Sequence, residues 1–231
     1  GGLKQEFHTV AQNMANVETV GYKRKFNTFS QALAAKGVGG NWEIGGGMEV
    51  GSAVDFTQGA LIETGRSLDF GLMGKGFFEV ETLDGPVYTR NGMFRLDPNG
   101  QLVDTGGRVV AGEAGPITVP LNVGLSQINV STDGNISADG ISIGRFKLVD
   151  FGDRENELKP VGMNSFRAPE DARPVAATGL SVRQGFDESS NVQMVEELVD
   201  MMMVSRLYEA NMQFVNVRRD AAKSIIDVAM S

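Results

Sequence analysis

Residues 192–231 read VQMVEELVDMMMVSRLYEANMQFVNVRRDAAKSIIDVAMS, with no Gly or Pro among them. Met194, Leu198, Met201, Ser205, Tyr208, Met212, Val215, Arg219, Ala222, Ile226 and Ala229 alternate in steps of four and three, and most are apolar. That spacing places them along one seam of a helix that packs on another helix. Ser189-Ser190-Asn191 precede the run and suit its start, with Glu196 and Glu197 near the first turn as helix-start charges. The spacing predicts one helix of about 35–40 residues, against a globular mean of roughly 11–12. Helices of that length belong to coiled coils and bundles.

The other end of the chain repeats the pattern. Leu3, Phe7, Val10, Met14 and Val17 fall on a second seam, with Lys4, Gln5, Glu6, Gln12 and Asn13 off it. Gly21 suits a helix stop. Thr28 to Ala35 is expected to form a further short helical piece ended by Gly37, and Gly37 to Gly51 to be extended. An N-terminal helix near the ~12–15 residue limit for isolated helices needs partners to be ordered.

Between the ends the period changes. Asn91-Gly92, Asn99-Gly100, Asp133-Gly134 and Asp139-Gly140 are hairpin-type dipeptides. They separate short runs such as Phe77-Phe78-Glu79-Val80, Val87-Tyr88-Thr89, Met93-Phe94-Arg95-Leu96 and Phe146-Lys147-Leu148-Val149, which suggest a small barrel or sandwich. The fold class expected is α+β, mainly β, with an all-β domain inserted between N- and C-terminal coiled-coil helices. The boundaries expected are 1–30 with 187–231 for the helical assembly domain, 31–68 with 166–186 for an extended connecting region, and 69–165 for the β domain.

Composition removes several functions. Among 231 residues there is no Cys and one His, so thiolate sites, cysteine nucleophiles and multi-histidine metal sites are excluded. The net charge of -8 argues against nucleic-acid binding. No run approaches the ~20 apolar residues of a membrane span, and Gly1 to Val10 lacks the apolar core of a secretory signal. The missing starting Met leads us to expect that native N-terminal residues precede this chain.

The chemistry-bearing patterns are weak. Gly74-Lys75-Gly76 is followed by Phe77, not the Lys-Ser/Thr order of a phosphate loop, and reads as a turn entering a strand. In Asp97-Pro98-Asn99-Gly100 the Gly comes too early for a calcium loop, so a type I turn is expected. His8 has no evident partner. Glu196-Glu197 and Asp187-Glu188 are adjacent pairs that diverge on a helix and read as helix-start charges. Lys23-Arg24-Lys25 is the one basic run, read as a solvated turn or a contact with an acidic neighbour. Met201-Met202-Met203 reads equally as core and as an adaptable binding surface. No catalytic, cofactor-binding or metal residue is expected, and the chain is read as not an enzyme.

Three ordered segments together resemble the flagellar rod and hook family of axial proteins. Asn13-Met14-Ala15-Asn16-Val17-Glu18-Thr19-Val20-Gly21-Tyr22-Lys23 is similar to the N-terminal signature N-N-x-A-N-x-x-T-x-G-[FY]-K, with Gln12-Asn13 where two Asn are common. Gln58-Gly59 to Gly65, Asp69-Phe70 to Gly74-Lys75-Gly76-Phe77-Phe78, Tyr88-Thr89-Arg90-Asn91-Gly92-Met93-Phe94 and Asn99-Gly100-Gln101-Leu102-Val103 resemble the family's middle block. Ser189-Ser190-Asn191-Val192, Glu196-Glu197-Leu198-Val199 and Arg206-Leu207-Tyr208-Glu209-Ala210-Asn211 resemble its C-terminal signature. The compact middle, with Gly115 to Pro120 and Gly144 to Asp150, favours the rod, proximal before distal. Phe186 stands where distal members usually carry Tyr.

The resemblance implies a structural rod subunit of the basal body, exported by the flagellar export apparatus without a cleaved signal. It would polymerise helically in the periplasm beside other rod and hook proteins, with terminal helices inside and the β domain outward. The assembly residues expected are Leu3, Phe7, Val10, Asn13, Met14, Asn16, Val17, Asn191, Met194, Leu198, Met201, Tyr208, Met212, Val215 and Ile226. Asn13, Asn16 and Asn191 are expected to tie turns or helix ends through side-chain hydrogen bonds. A distal-rod or hook-type protein is one alternative. The other is a β-domain module binding a cell-wall polymer and dimerised by its helices.

Overall fold

The computed structural model describes residues 2–27 and 52–229, from 220 onward as backbone alone. The helical piece anticipated at Thr28–Ala35 and the extended Gly37–Gly51 lie outside these residues. The chain forms two compact units. One comprises residues 1–15, 25–53 and 193–231, the other 16–24 and 54–192.

The first unit holds α1, Gly2–Ala15, and α2, Met194–Ala229, with the strand Lys25–Asn27. α2 has the length its spacing calls for, and Glu196 and Glu197 lie in its first turn, where the helix dipole favours carboxylates. α1 ends at Ala15, ahead of Val17. Asn16 turns the chain instead: its Oδ1 accepts from Thr19 Oγ1 at 3.2 Å and its carbonyl from Thr19 N at 3.0 Å.

The second unit is β. Its largest sheet is antiparallel and runs Lys159–Gly162, Ser165–Arg167, Val87–Thr89, Phe77–Val80, Leu148–Asp150, Val175–Ala176. Alternate side chains of a strand face opposite ways, and here both faces are covered. Phe78 joins Phe70, Phe94 and Phe146 in one core, while Phe77 joins Tyr88, Phe151 and Phe166 in another. The rings meet edge to face, Phe78 with Phe94 at 5.1 Å and Tyr88 with Phe151 at 4.8 Å, the arrangement their quadrupoles favour.

Asp139-Gly140 links Asn135–Ala138 to Ile141–Arg145 with φ of 50° and 78°, as a two-residue hairpin turn demands. Asp97 Oδ1 accepts from Asn99 N and Gln101 N, both at 2.8 Å, so this carboxylate is spent on its own turn. Asn91-Gly92 is no hairpin. A Cβ on Gly92 would stand 1.8 Å from the Phe70 carbonyl oxygen, so glycine is needed there for backbone contact.

The stretch anticipated as connecting region, 166–186, is part of this β unit. Ser181–Gln184 pairs with Phe70–Met73, Val175–Ala176 edges the large sheet, and Val182 is buried in the first core. Its alternating apolar residues are too few to register as strands until the partner strand supplies the other half of the ladder.

Candidate assembly surface of the terminal helices

α1 packs on α2 through a face that is partly polar. Thr9, Val10 and Asn13 are its buried residues. Asn13 docks like a piece of strand: Lys25 N donates to its Oδ1 at 2.9 Å, and its Nδ2 donates to the Lys25 carbonyl at 2.7 Å. The same Nδ2 donates to Glu197 Oε2 at 3.1 Å. Glu197 is fully buried. Glu197 is thus a helix-start charge as expected, but a buried one, with the Asn13 amide among its partners. Near the start of α1, Asn27 Nδ2 donates to Glu6 Oε2 at 2.7 Å.

Of the seam residues marked in α1, Val10 is buried, Leu3 and Met14 are half-buried, and Phe7 is exposed. Leu3, Lys4 and Phe7 line an open cleft of about 270 Å³ with Val204 and Tyr208 of α2. Its lining is almost wholly apolar.

Beyond this cleft the described side chains of α2 lie open. Met201 is half-buried and Val204 buried, but every residue from Arg206 to Arg219 is exposed. Met194, Leu198, Tyr208, Met212 and Val215 are 39% to 51% exposed. Leu207, Phe214 and Val217 are exposed as well and lie off that seam, as are Met202 and Met203. The side chain of Ile226 is outside the described residues. A helix with apolar residues on several faces is suited to the interior of a larger bundle, and an exposed apolar surface of this extent marks an interaction site.

The second unit contains a polar cluster that the sequence pattern did not disclose. Lys23, read as part of a solvated basic turn, is 2% exposed, and Glu188, read as a helix-start charge, is 0% exposed and sits on the strand Phe186–Glu188. Lys23 Nζ donates to Glu188 Oε1 and to the Thr57 carbonyl, both at 2.6 Å. Arg90 Nε donates to Glu188 Oε2 at 2.7 Å. Gly59 N adds a further bond to Oε1 at 3.1 Å. The rest of the Arg90 guanidinium donates to the carbonyls of Leu72, Gly74 and Gly76. Gly74-Lys75-Gly76 thus wraps an arginine and is not a phosphate loop. Burial pushes the Lys23 ammonium down from its ordinary pKa, and Glu188 pulls it back up.

Asn191 works at the same place. Its Oδ1 accepts from Arg24 N at 2.7 Å, and its Nδ2 donates to the carbonyls of Asp55 and Thr57. A usable signal was present in the sequence. Lys23, Gly59, Gly74, Gly76, Arg90 and Asn191 all stand inside the three signature segments, which lie far apart in the chain and meet here.

Among the described residues no group of three or more His, Asp or Glu is placed to hold a metal ion. No described helix is long and apolar enough to cross a membrane.

A family model described as the flagellar hook protein FlgE/F/G D1 domain matches residues 71–138, within the β unit. A second, described as flagellar basal body rod FlgEFG protein C-terminal, matches residues 183–228, which include most of α2. The flagellar basal-body rod protein FlgF of Caulobacter vibrioides is 32% identical over 97% of this chain and 92% of its own. FlgG of Buchnera aphidicola subsp. Schizaphis graminum is 34% identical over 90% and 88%. FlgF of Salmonella typhimurium is 35% identical over 89% and 84%.

Proposed function

Because this chain belongs to the flagellar rod and hook family that includes FlgF and FlgG, and is a structural subunit of the basal-body rod, we propose that it builds the rod by helical self-assembly through α1 and α2. The exposure of α2 carries this reading. Its large apolar residues from Leu207 to Val217 remain 44% to 66% exposed in the described chain, and they lie on more than one face. Each would contribute a fraction of roughly 1.5–3 kcal/mol on burial, since each is already half-covered. A contact that joins one patch to a different patch on the next copy does not close, and so generates a helical polymer. In that polymer the helices form coiled-coil seams along the inner tube, and the β unit forms the outer wall. The assembled shaft passes motor torque outward.

The role is non-enzymatic and needs no cofactor. The subunit reaches the periplasmic rod through the flagellar export apparatus, without a cleaved signal, and its neighbours are other rod and hook proteins. The proximal rod is the first reading, supported by the compact middle and by FlgF relatives at 32% and 35% identity. The distal rod is the second reading, supported by FlgG relatives at 34% identity.

Deleting the gene in its host and imaging purified basal bodies by electron microscopy tests both readings. A missing or stalled rod with lost motility, restored by the full gene, is the expected result, and the stall point separates proximal from distal. Intact flagella and normal swimming, with no related copy to compensate, would overturn the rod reading.

A further inference from the structure

The chain holds 11 methionines and no cysteine, so its oxidisable sulfur is thioether alone. Both β cores are built of Phe, Tyr, Leu, Val, Ile and Ala. Among the described residues no methionine is buried. Met194, Met201, Met202, Met203 and Met212 stand on α2, and Met202, Met203 and Met212 are 54%, 51% and 46% exposed. We propose that these last three are a modification site for peroxides, and that their sulfoxides take the subunit out of assembly while the β unit stays folded. The loss of assembly rests on the rod reading; the place of oxidation and the survival of the β unit do not.

The reaction balances with hydrogen peroxide as the only co-reactant. The thioether sulfur attacks one peroxide oxygen, the O–O bond breaks, and the sulfur keeps that oxygen while the other leaves as water. Sulfur gives up two electrons and the peroxide takes them. Methionine sulfoxide reductases reverse the step, so the subunit is recoverable.

Exposure decides which sulfur reacts first. Met14 and Met93 are half-buried and lag behind the three on α2. Met73 and Met163 in the β unit are 44% and 60% exposed and are oxidised too, but neither belongs to a core. They are internal controls for oxidation without consequence.

The consequence on α2 follows from polarity. A thioether packs well against apolar side chains, and the flexible Met chain adapts to the surface it meets. A sulfoxide carries a strongly polar acceptor oxygen, whose burial without a donor is unfavourable. The exposed apolar residues of α2, Leu207, Phe214, Val215 and Val217 among them, bring no side-chain donor. The backbone N–H groups of the helix are already bonded within it. A second copy offering the same kind of face therefore leaves the sulfoxides unpartnered.

Graded hydrogen peroxide on the purified intact chain, followed by peptide mass spectrometry and thermal melting, tests the site without any rod being built. Sulfoxide at Met202, Met203 and Met212 ahead of Met14 and Met93 is expected, with the melt of the β unit unchanged. Reduced methionines on α2 when Met93 is already oxidised, or a β unit that melts away in step with oxidation, would overturn the proposal.

Two triple variants test the consequence in the deletion strain. In one, Met202, Met203 and Met212 become Leu, which keeps the face apolar. In the other they become Gln, which approximates the sulfoxide in size and polarity. The Leu triple should restore rods and the Gln triple should lose them, with both keeping the parent's β-unit melt. Rods built by the Gln triple overturn this proposal alone. Failure of both triples overturns it as well, since side-chain shape and not polarity is then what assembly reads. Normal flagella in the deletion strain itself remove the rod reading and the loss of assembly together.

Discussion

Asn13→Asp is nearly isosteric, yet it should unseat α1 in a pH-dependent way. The native Nδ2 lies 3.1 Å from Glu197 Oε2 and 2.7 Å from the Lys25 carbonyl. An aspartate there turns a donor into a second acceptor facing a fully buried carboxylate. Two unit charges at that separation repel by about 5 kcal/mol at an effective dielectric of about 20. The pair has an escape, since it can share a proton as adjacent carboxylates do. Loading a proton on a carboxyl of ordinary pKa near 4 costs about 4 kcal/mol at pH 7 and about 1.4 kcal/mol at pH 5.

The cheaper route prevails at each pH, so the variant should be about 4 kcal/mol less stable than the parent at pH 7 and about 1.5 kcal/mol less stable at pH 5. Urea unfolding at pH 7, 6 and 5 followed by far-ultraviolet circular dichroism measures the difference. The apolar control Asn13→Leu loses the same hydrogen bonds but adds no second carboxylate, so its deficit should change less with pH. A deficit for Asn13→Asp that changes no more than the control's, or is absent at pH 7, would refute the reasoning about Glu197.

The exposed face of α2 gives a second prediction: Leu198→Asp or Met212→Asp should stop rod formation in a complementation assay while the purified β unit keeps its native melt, and a working rod built from either variant would remove that face from the interface. In the core, burial first and the Glu79 charge second push the Tyr88 phenol up to about 12. Its folded pKa lies above the unfolded value, so the stability it contributes is complete below about pH 10 and lost as pH rises toward 12. Tyr88→Phe should therefore decline less than the parent in urea midpoint between those values, and parallel declines would show that the phenol is not the titrating group. Gly92→Ala should lower β-unit stability by more than about 3 kcal/mol, because its methyl meets the Phe70 carbonyl in the centre of the fold; a thermal midpoint close to the parent's would show that the backbone there yields.

What the sequence discloses and what it hides divide along a physical line. Periodicity records side chains buried because they are apolar. It therefore finds α2, the two-faced strand Phe77–Val80 and the turn at Asp139-Gly140, where one residue type answers one local demand. It is blind to side chains buried to be hydrogen-bonded. On α1 the apolar seam through Phe7 is partly exposed, while Thr9 and Asn13 are inside, because what α1 meets there is the Lys25 backbone and a carboxylate. Lys23 and Glu188 likewise look like surface charges, and only a contact spanning 165 positions in the chain explains their burial. The Asn13 cluster and the Lys23 cluster follow the same rule, one in each unit. In both, a side chain from the N-terminal signature satisfies a buried carboxylate from the C-terminal part of the chain. The apolar residues left exposed on α2 lie on the other side of that line: their pattern is legible, and in the proposed assembly their burial is completed by another chain.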